Sequence, residues 1–301
     1  MQSDGQIASL ICPRLIRHVS HMMKDPNVSD QLSNPVVQRE SHGPCNICKS
    51  EGKLTWDHVP PQGSIQIKPM QQQTILQNLA TGHGGDNEYS ISQNGVKFRT
   101  LCGQCNNTLL GKRYDPVLKE FTASLTCNVT SGLSLTPVVH IETRPAHLVR
   151  AVFGHLLATK GKIEDTVPDQ QMRSFFLDDN VTVPDGLKVF YWLHPYHNVV
   201  IIRDVAMPAV RGGVGRVCKK IGFFSILKFF PIGFLVSNVD EYEGLNELTQ
   251  YIQGAPHKPV RVPIKLVRVE DPRWPEIVDD GNLLVGGQSV QSSILATPKD
   301  G

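Results

Sequence analysis

The sequence lacks a strong net charge and a long uninterrupted hydrophobic run. Its 30 Lys and Arg residues stand against 28 Asp and Glu, so the formal net charge is +2. A charge this small does not by itself indicate a nucleic acid or a membrane as partner, and any basic surface must be local. The most apolar stretch, residues 221–236, is interrupted by Lys228 and Pro231, which argues against a membrane span.

A secretory signal peptide is not expected either. The apolar run IASLIC near the N-terminus follows an acidic residue, and no small-residue cleavage pattern comes after it. We therefore expect a cytoplasmic protein with no membrane partner. The 301 residues are 40% hydrophobic, which is enough for a substantial core, and the length favours two domains over one.

Cysteines are few, but four of the seven fall into two C-x-x-C pairs, CNIC (45–48) and CGQC (102–105). In a reducing cytosol such pairs are more often metal sites than disulfides. Thiolates from Cys45, Cys48, Cys102 and Cys105 can form the closed tetrahedral site of a structural zinc ion, which leaves no coordination position for water. The other three, Cys12, Cys127 and Cys218, are predicted to be inert thiols.

The pattern of apolar and polar residues predicts an α+β protein. We expect a flexible polar extension over 1–40, a domain over 41–128 that contains the cysteine pairs, and a mixed α+β domain over 129–301 with a flexible tail after Trp274. A helix is predicted in RPAHLVRAVFGHLLATKG. Strands are predicted in KVFYWLHPYHNVVIIRDV on both sides of an HPYH turn, in FFSILKFFPIGFLV and in VRVPIKLVRV.

The segment between the cysteine pairs is predicted to contain a hairpin and a loop. EYSISQNGVKFRTL (88–101) places strand-forming residues around Asn94-Gly95, a dipeptide that suits a type I′ turn. IKPMQQQTILQNLATGHGGDN is expected to be a loop. After Cys105 we expect a short helix ended by Gly111 and a second helix with Asp115 as N-cap, followed by proline.

The stretch LTWDHVPPQG (54–63) places Asp57 beside His58, just before a proline turn. Hydrolysis of a phosphodiester requires a deprotonated water and a hard cation near the phosphate. Imidazole accepts a proton near neutral pH, and carboxylate and amide oxygens suit magnesium. Asp57, His58 and Asn106 supply this set of groups. The alternative for Asp57 and His58 is a hydrogen-bonded loop pair without catalysis.

The ordered combination of C-x-x-C, DH with proline, and LCGQCNNTLLGKR resembles the HNH endonucleases of the zinc-bound ββα-metal type over roughly residues 44–113. The resemblance implies a treble-clef-like domain with structural zinc. It also implies His58 as the general base and Asp57 and Asn106 as ligands of a catalytic magnesium or manganese ion. Where the family has its middle asparagine, this chain has Lys97, and the nearby Asn94 belongs to the predicted turn.

Basic side chains after the second cysteine pair and in RGGVGRVCKK (211–220) are candidate nucleic-acid contacts, although a solvated helix end and a flexible basic loop are the alternatives. These residues are Lys112, Arg113, Arg211, Arg216, Lys219 and Lys220. Arg203 and Lys228 extend the basic stretch, which contains only one acid and is therefore a candidate contact surface.

The expected function is a metal-dependent endonuclease that cuts DNA, with RNA as a further possible substrate. By resemblance it would act as a bacterial antiphage or restriction effector. Its C-terminal domain would bind a regulatory ligand or a partner protein. Two alternatives stay open: a non-catalytic zinc module that binds nucleic acid or protein, and a ligand sensor whose output is the nuclease.

Overall fold

The computed structural model describes residues 39–75, 89–131, 136–161, 163–210, 217–242, 244–252, 258–267, 269–275 and 292–299, with the backbone alone over 206–210 and 217–222. The predicted N-terminal extension therefore lies almost entirely outside the described residues. Within them, no helix is long and apolar enough to cross a membrane.

The strands and helices alternate irregularly along the chain, as expected of an α+β protein. The strands are β1 His42–Pro44, β2 Glu51–His58, β3 Met70–Thr74, β4 Ser90–Ser92, β5 Lys97–Cys102, β6 Val138–Thr143, β7 Lys188–Leu193, β8 Val199–Val210, β9 Val217–Phe229, β10 Ile232–Ser237, β11 Asn246–Glu247, β12 Val260–Lys265 and β13 Ile294–Pro298. The helices are a π-helical segment Gln104–Tyr114, α1 Asp115–Thr130, α2 Pro145–Ala158, α3 Val167–Leu177 and a 3-10 turn Thr249–Ile252.

These strands form three sheets. A small sheet has the order β1-β2-β5, a two-stranded sheet pairs β12 with β6, and an eight-stranded sheet has the order β11-β7-β10-β9-β8-β13-β3-β4. All the strand pairs are antiparallel. The large sheet contains strands from both sides of the predicted boundary between residues 128 and 129.

The large sheet is buried on both faces at its centre. Along β7, Val189, Tyr191 and Leu193 belong to the main hydrophobic cluster, whereas Phe190 and Trp192 belong to a second cluster on the other face. Side chains of a strand alternate between the two faces, so a strand covered on both sides must be apolar throughout. This is why the strand sequences are continuous apolar runs.

Helix α2 is the centre of the main core, because all fourteen of its residues are buried. Gly154 lets the helix approach its neighbours closely: a Cβ atom there would lie 2.5 Å from Leu110 Cδ2 and 2.6 Å from Phe176 Cε2. The helix thus packs directly on the π-helical segment that follows the second cysteine pair. It also packs on α3.

Several predicted elements are confirmed. The helix predicted around residue 150 is α2. The strand predicted in VRVPIKLVRV is β12, and the strands predicted in FFSILKFFPIGFLV belong to β9 and β10. The HPYH segment connects β7 to β8. Phe224, Phe229 and Phe234 are buried, as expected of core aromatics. The mixed α+β class is confirmed as well.

Two segments that were expected to lack regular structure contain strands. Met70–Thr74, in the predicted loop, is β3, and Ile294–Pro298, in the predicted flexible tail, is β13 between β8 and β3. Both predictions were wrong for these residues. Local composition favoured a loop in each case, but backbone pairing with a partner distant in sequence overrides a weak local preference.

The predicted hairpin does not form as a pair. β4 joins the large sheet while β5 pairs with β2, and the turn between them has a positive φ only at Gly95, at +70°, so it is not a type I′ turn. The predicted helix end at Gly111 is also wrong, because the π-helical segment runs on to Tyr114 and continues into α1. Asp115 lies inside this continuous helix and is not an N-cap.

Two members of the basic stretch are not at the surface. The Arg203 guanidinium is fully buried and donates to Asp169 Oδ1 at 2.6 Å. The Lys228 ammonium is also buried and donates to the backbone carbonyls of Pro272 and Trp274. A buried cation must be paired or solvated by protein oxygens, so these two side chains have structural partners and do not form a contact surface.

Candidate functional site

The two cysteine pairs meet at one point in the fold. Cys45 and Cys48 lie on a tight turn after β1, in which the Lys49 amide donates to the Cys45 carbonyl at 2.9 Å. Cys102 ends β5, and Cys105 lies in the first turn of the π-helical segment. The Asn46 amide donates to the Thr100 carbonyl at 2.9 Å, which ties the turn to β5.

The geometry of the four sulfur atoms suits a tetrahedral metal ion. Their Sγ atoms all lie within 4.8 Å of one another, and the Cys48 and Cys102 sulfurs are 3.7 Å apart. Zinc–thiolate bonds of about 2.3 Å in a tetrahedron place the sulfurs about 3.8 Å from each other. The cluster could therefore hold a metal ion such as zinc, as the sequence predicts.

The pKa values of the cysteine thiols explain how a cation would stabilise this cluster. A hydrogen bond from the Cys105 thiol, opposed by burial, lowers the pKa of Cys45 to about 4. The same hydrogen bond, together with burial, raises the pKa of Cys105. Without a cation only part of the cluster can ionise, because neighbouring thiolates repel one another. A divalent metal removes that repulsion and permits four thiolates.

The turn between Cys45 and Cys48 also stabilises the end of helix α2. Asn46 Nδ2 donates to the carbonyls of Leu157 at 2.9 Å and Lys160 at 3.0 Å, and Thr100 Oγ1 donates to the Ala158 carbonyl at 2.6 Å. Carbonyls at a helix C-terminus have no partner within the helix and require one from outside. The cysteine cluster and the central helix are therefore held together by buried hydrogen bonds.

Asp57 points away from solvent, towards helix α2. Its Oδ2 lies 3.2 Å from His155 Nδ1, and His155 Nε2 lies 2.9 Å from Asp115 Oδ1. The imidazole is fully buried, and the two carboxylates are nearly so. Both ring nitrogens face carboxylate oxygens, which only accept hydrogen bonds, so both nitrogens carry a proton.

His155 is therefore a buried imidazolium between two acids. Burial alone would lower the pKa of His155, but Asp115 and Asp57 outweigh it and raise the pKa to about 10. Burial also raises the pKa of Asp57, and the positive charge of His155 opposes that effect. The role of Asp57 in metal binding stays a prediction, and its carboxylate already has one structural partner.

Asn106 lies at the junction of β2 and the π-helical segment, and it is almost buried. Its Nδ2 donates to Thr55 Oγ1 at 2.9 Å and to the Trp56 carbonyl at 2.8 Å. These bonds fasten the start of the helix to the strand, one residue before Asp57. Asn106 Oδ1 and Asp57 Oδ1 accept no hydrogen bond from a described residue.

His58 ends β2 and is half-buried, on the solvent side of the strand. The backbone carbonyl of Asn94 is near enough to the ring to favour its protonated form. Its Nε2 lies 3.2 Å from Gln62 Nε2, an amide nitrogen that can only donate. His58 Nε2 therefore accepts, and the ring proton is on Nδ1.

The protonation state of His58 follows from its surroundings. Burial and the nearby Lys97 ammonium lower the pKa of His58, and Asp57 and the Asn94 carbonyl oppose them. The lowered pKa keeps the ring neutral at neutral pH, with the Nε2 lone pair unprotonated. A neutral imidazole of fixed orientation is the form that a general base requires.

The structure describes the side chains of only two of the six predicted nucleic-acid contacts. Lys112 and Arg113 are exposed at the end of the π-helical segment, and Arg113 forms an ion pair with Asp179 and lies over the Tyr114 ring. Arg211 and Arg216 lie outside the described residues. Lys219 and Lys220 are on β9, where only the backbone is described. Contacts of these residues with nucleic acid stay predictions.

Three features of this site could not be recognised, or were not recognised, from the sequence. His155 was read only as part of an apolar helix, and no local signal connects it to Asp57. The Asn94 backbone carbonyl was missed because the turn was thought to use the asparagine for its conformation. Trp56 and Arg99 were also missed, although strand periodicity places Trp56 on the same face as His58 and could have indicated it.

A separate cavity of about 500 Å³ lies in the C-terminal half. Trp192, Trp274, Lys265 and Asn246 are among the residues that line it, and the Trp192 indole N–H makes no hydrogen bond within the described structure. Cavities of this size commonly bind small molecules. The binding of a regulatory ligand or partner by the C-terminal half stays a prediction.

Comparisons with models of protein families, with curated proteins and with solved structures find no match to this chain.

Proposed function

We propose that the protein is a metal-dependent endonuclease of the HNH type, which hydrolyses phosphodiester bonds in nucleic acid. The observation that carries the proposal is the state of His58. Burial and the nearby Lys97 ammonium lower the pKa of its ring, Gln62 Nε2 lies 3.2 Å from its Nε2 and orients it, and the ring lies at the solvent side of β2. This group can take a proton from a water molecule that attacks a phosphate.

The cysteine cluster would hold structural zinc, because four thiolates leave no coordination position for water. A second, hard cation would be held by Asp57 and Asn106. Both side chains use one polar atom in structural hydrogen bonds and have Oδ1 remaining. Carboxylate and amide oxygens are the ligands that magnesium and manganese prefer. When bound, the cation would neutralise charge that develops on the phosphate and the leaving oxygen.

The protein's own residues have distinct tasks in this proposal. His58 accepts the proton of the attacking water through Nε2, after that water displaces the Gln62 amide from this nitrogen. Asn106 holds the helix against β2 next to Asp57, and His155 fixes the Asp57 carboxylate through Oδ2. The zinc cluster holds the end of β5, the strand that begins at Lys97, and the start of the helix, which carries Asn106.

A second candidate is a zinc-binding interaction module without catalysis. The observation in its favour is that Asp57 and Asn106 both have structural partners, which would explain their presence without a catalytic cation. The neutral His58 ring at the solvent side favours the enzyme, because a purely structural module has no use for it.

Cleavage assays separate the two candidates. Supercoiled plasmid and single-stranded DNA and RNA are incubated with the parent, with His58→Ala and with His140→Ala, in magnesium or manganese. His140 is an exposed histidine on β6 and serves as the matched control. We expect cutting by the parent and by His140→Ala, and a loss of about 100-fold or more in His58→Ala.

Zinc content is measured in all three proteins, so that loss of cutting is not confused with loss of folding. If the parent retains zinc but cuts none of these substrates with either metal, the enzyme proposal fails and the interaction module is favoured. If His58→Ala cuts as fast as the parent, His58 is not the base.

A further inference from the structure

On the solvent face of the β2–β5 pair, three side chains beside His58 contact neither the cation nor the attacking water in the proposed chemistry: Trp56, Lys97 and Arg99. In the register of this pair, His58 lies opposite Lys97 and Trp56 lies opposite Arg99. Residues two apart on a strand point to the same side, so these four side chains share one face. Asp57 and Phe98, between them, are buried on the other face.

Trp56 is an exposed aromatic ring next to cations. The residue is 42% exposed, and its ring centroid lies 5.6 Å from Lys97 Nζ and 5.2 Å from Arg99 Cζ. Cations at this distance are attracted to the face of an indole ring. They hold the ring in place on the strand, and much of it stays open to solvent.

Among the described residues, no acid neutralises the two cations. Neither Lys97 nor Arg99 forms an ion pair with an acidic residue in the described part of the chain. Arg99 donates through Nε and Nη2 to the backbone carbonyl of Arg39, which orients the guanidinium and leaves its charge in place. The face is therefore positive and carries an aromatic platform.

We infer that Trp56, Lys97 and Arg99 form a binding site for single-stranded nucleic acid. Trp56 stacks on an unpaired base, and Lys97 and Arg99 bind phosphates beside it. Stacking requires the flat face of a base, which is covered by neighbouring base pairs inside a duplex. Aromatic residues in a positive groove are the usual means of binding single strands without sequence preference.

The inference rests on the proposed function for one point, namely that the phosphate to be cut lies at His58. Trp56 is two residues from His58 along β2, about 7 Å at the usual rise of a strand. A base stacked on Trp56 would therefore belong to a nucleotide at or next to the phosphate that is cut. The site would direct the enzyme to unpaired DNA or RNA.

Binding is measured in a His58→Ala background without added divalent cation, so that cutting does not interfere. The probes are a fluorescently labelled short single-stranded DNA, the RNA of the same sequence, and the DNA duplex. We expect tighter binding to a single strand than to the duplex. Trp56→Leu, which keeps apolar bulk but has no aromatic face, should weaken single-strand binding by about 10-fold. Trp56→Phe should retain most of the affinity.

The charge contribution is tested through salt dependence. Lys97→Gln should reduce the slope of log affinity against log salt by about 0.7, the value for one phosphate contact on a single strand. Arg261→Gln, at an exposed position on β12 in another sheet, should leave the slope unchanged. Zinc content and melting temperature are checked for each variant.

The inference is overturned if the duplex binds as tightly as both single strands, or if Trp56→Leu binds single strands as well as the His58→Ala parent. Equal losses in Trp56→Leu and Trp56→Phe would also overturn it, because stacking predicts a difference. The proposed nuclease function can be contradicted while the binding site is retained. A parent that never cuts but binds single strands through Trp56 contradicts the nuclease and keeps the binding site.

Discussion

His155 Nδ1 lies 3.2 Å from Asp57 Oδ2, in the buried interior between helix α2 and strand β2. The two residues are 98 positions apart in the sequence. The contact connects the candidate catalytic strand to the central helix of the whole fold. The contact between Asp57 and His155 holds the inner side of β2, independently of any ligand at the solvent side.

Replacing His155 should destabilise the protein strongly. His155→Gln removes the cation between Asp57 and Asp115 and leaves two carboxylates buried close together. Breaking a buried ion pair in this way costs about 3–5 kcal/mol. Urea unfolding measures the loss of stability. The control is His140→Gln, at an exposed position of β6, for which we expect a change within about 0.5 kcal/mol. A His155→Gln protein as stable as the parent would contradict a structural role for the pair.

The pH dependence of stability should reveal the titration of His155. The folded pKa of His155, about 10, is above the ordinary value of 6.5, so the folded state binds this proton more tightly than the unfolded state. Its contribution is full below pH 6.5 and is lost as the pH rises through 10. We expect the parent to lose on the order of 4 kcal/mol more than His155→Gln across this window, in buffer without magnesium. Parallel curves for the two proteins would exclude a raised pKa.

Substitution of a clustered cysteine should affect zinc binding and stability, whereas substitution of the exposed cysteine should not. Cys102→Ser takes one ligand from the four-sulfur cluster, whereas Cys127→Ser changes an exposed thiol on α1. We expect Cys102→Ser to lose bound zinc and to melt at a markedly lower temperature, because metal binding supplies folding energy to such a cluster. Cys127→Ser should retain both properties of the parent. Zinc is measured by elemental analysis, and full zinc binding by Cys102→Ser would count against the cluster.

A substitution of Gly154 tests the close packing between α2 and the π-helical segment. In Gly154→Ala the new methyl would lie 2.5 Å from Leu110 Cδ2 and 2.6 Å from Phe176 Cε2, and both residues are buried, so a side chain would have to shift within the packed core. Overpacking of this kind costs about 1–3 kcal/mol, more than the gain in helix propensity of about 1 kcal/mol or less. Gly52→Ala on β2 is the control, since its methyl would meet no atom within 4 Å. If the two variants unfold at the same urea concentration, the packing is looser than described.

Parts of the site could be predicted because their signals are local. Two C-x-x-C pairs supply metal ligands on tight turns whatever the rest of the chain does, and the structure brings all four sulfurs together. The Asp57-His58 pair and Asn106 were recognised by their residue types and order. The helix around residue 150 and the apolar strands followed from periodicity, because burial imposes that pattern on the sequence.

Other parts could not be predicted, because the deciding contacts join residues distant in sequence. Ile294–Pro298 has no strong strand signal and is a strand because β8 and β3 offer it backbone partners. Asp115 followed every rule for an N-cap, yet it lies within a continuous helix because the preceding π-helical segment does not end at Gly111.

For the candidate site, the sequence by itself determined which chemical groups are present: four thiols, an imidazole, a carboxylate and an amide. Tertiary structure alone decided how they are oriented. It turned Asp57 inward to His155 and left His58 facing solvent beside Trp56, because adjacent residues of a strand point to opposite sides and only one side faces the core. Which side that would be depended on helix α2, about a hundred residues further along the chain.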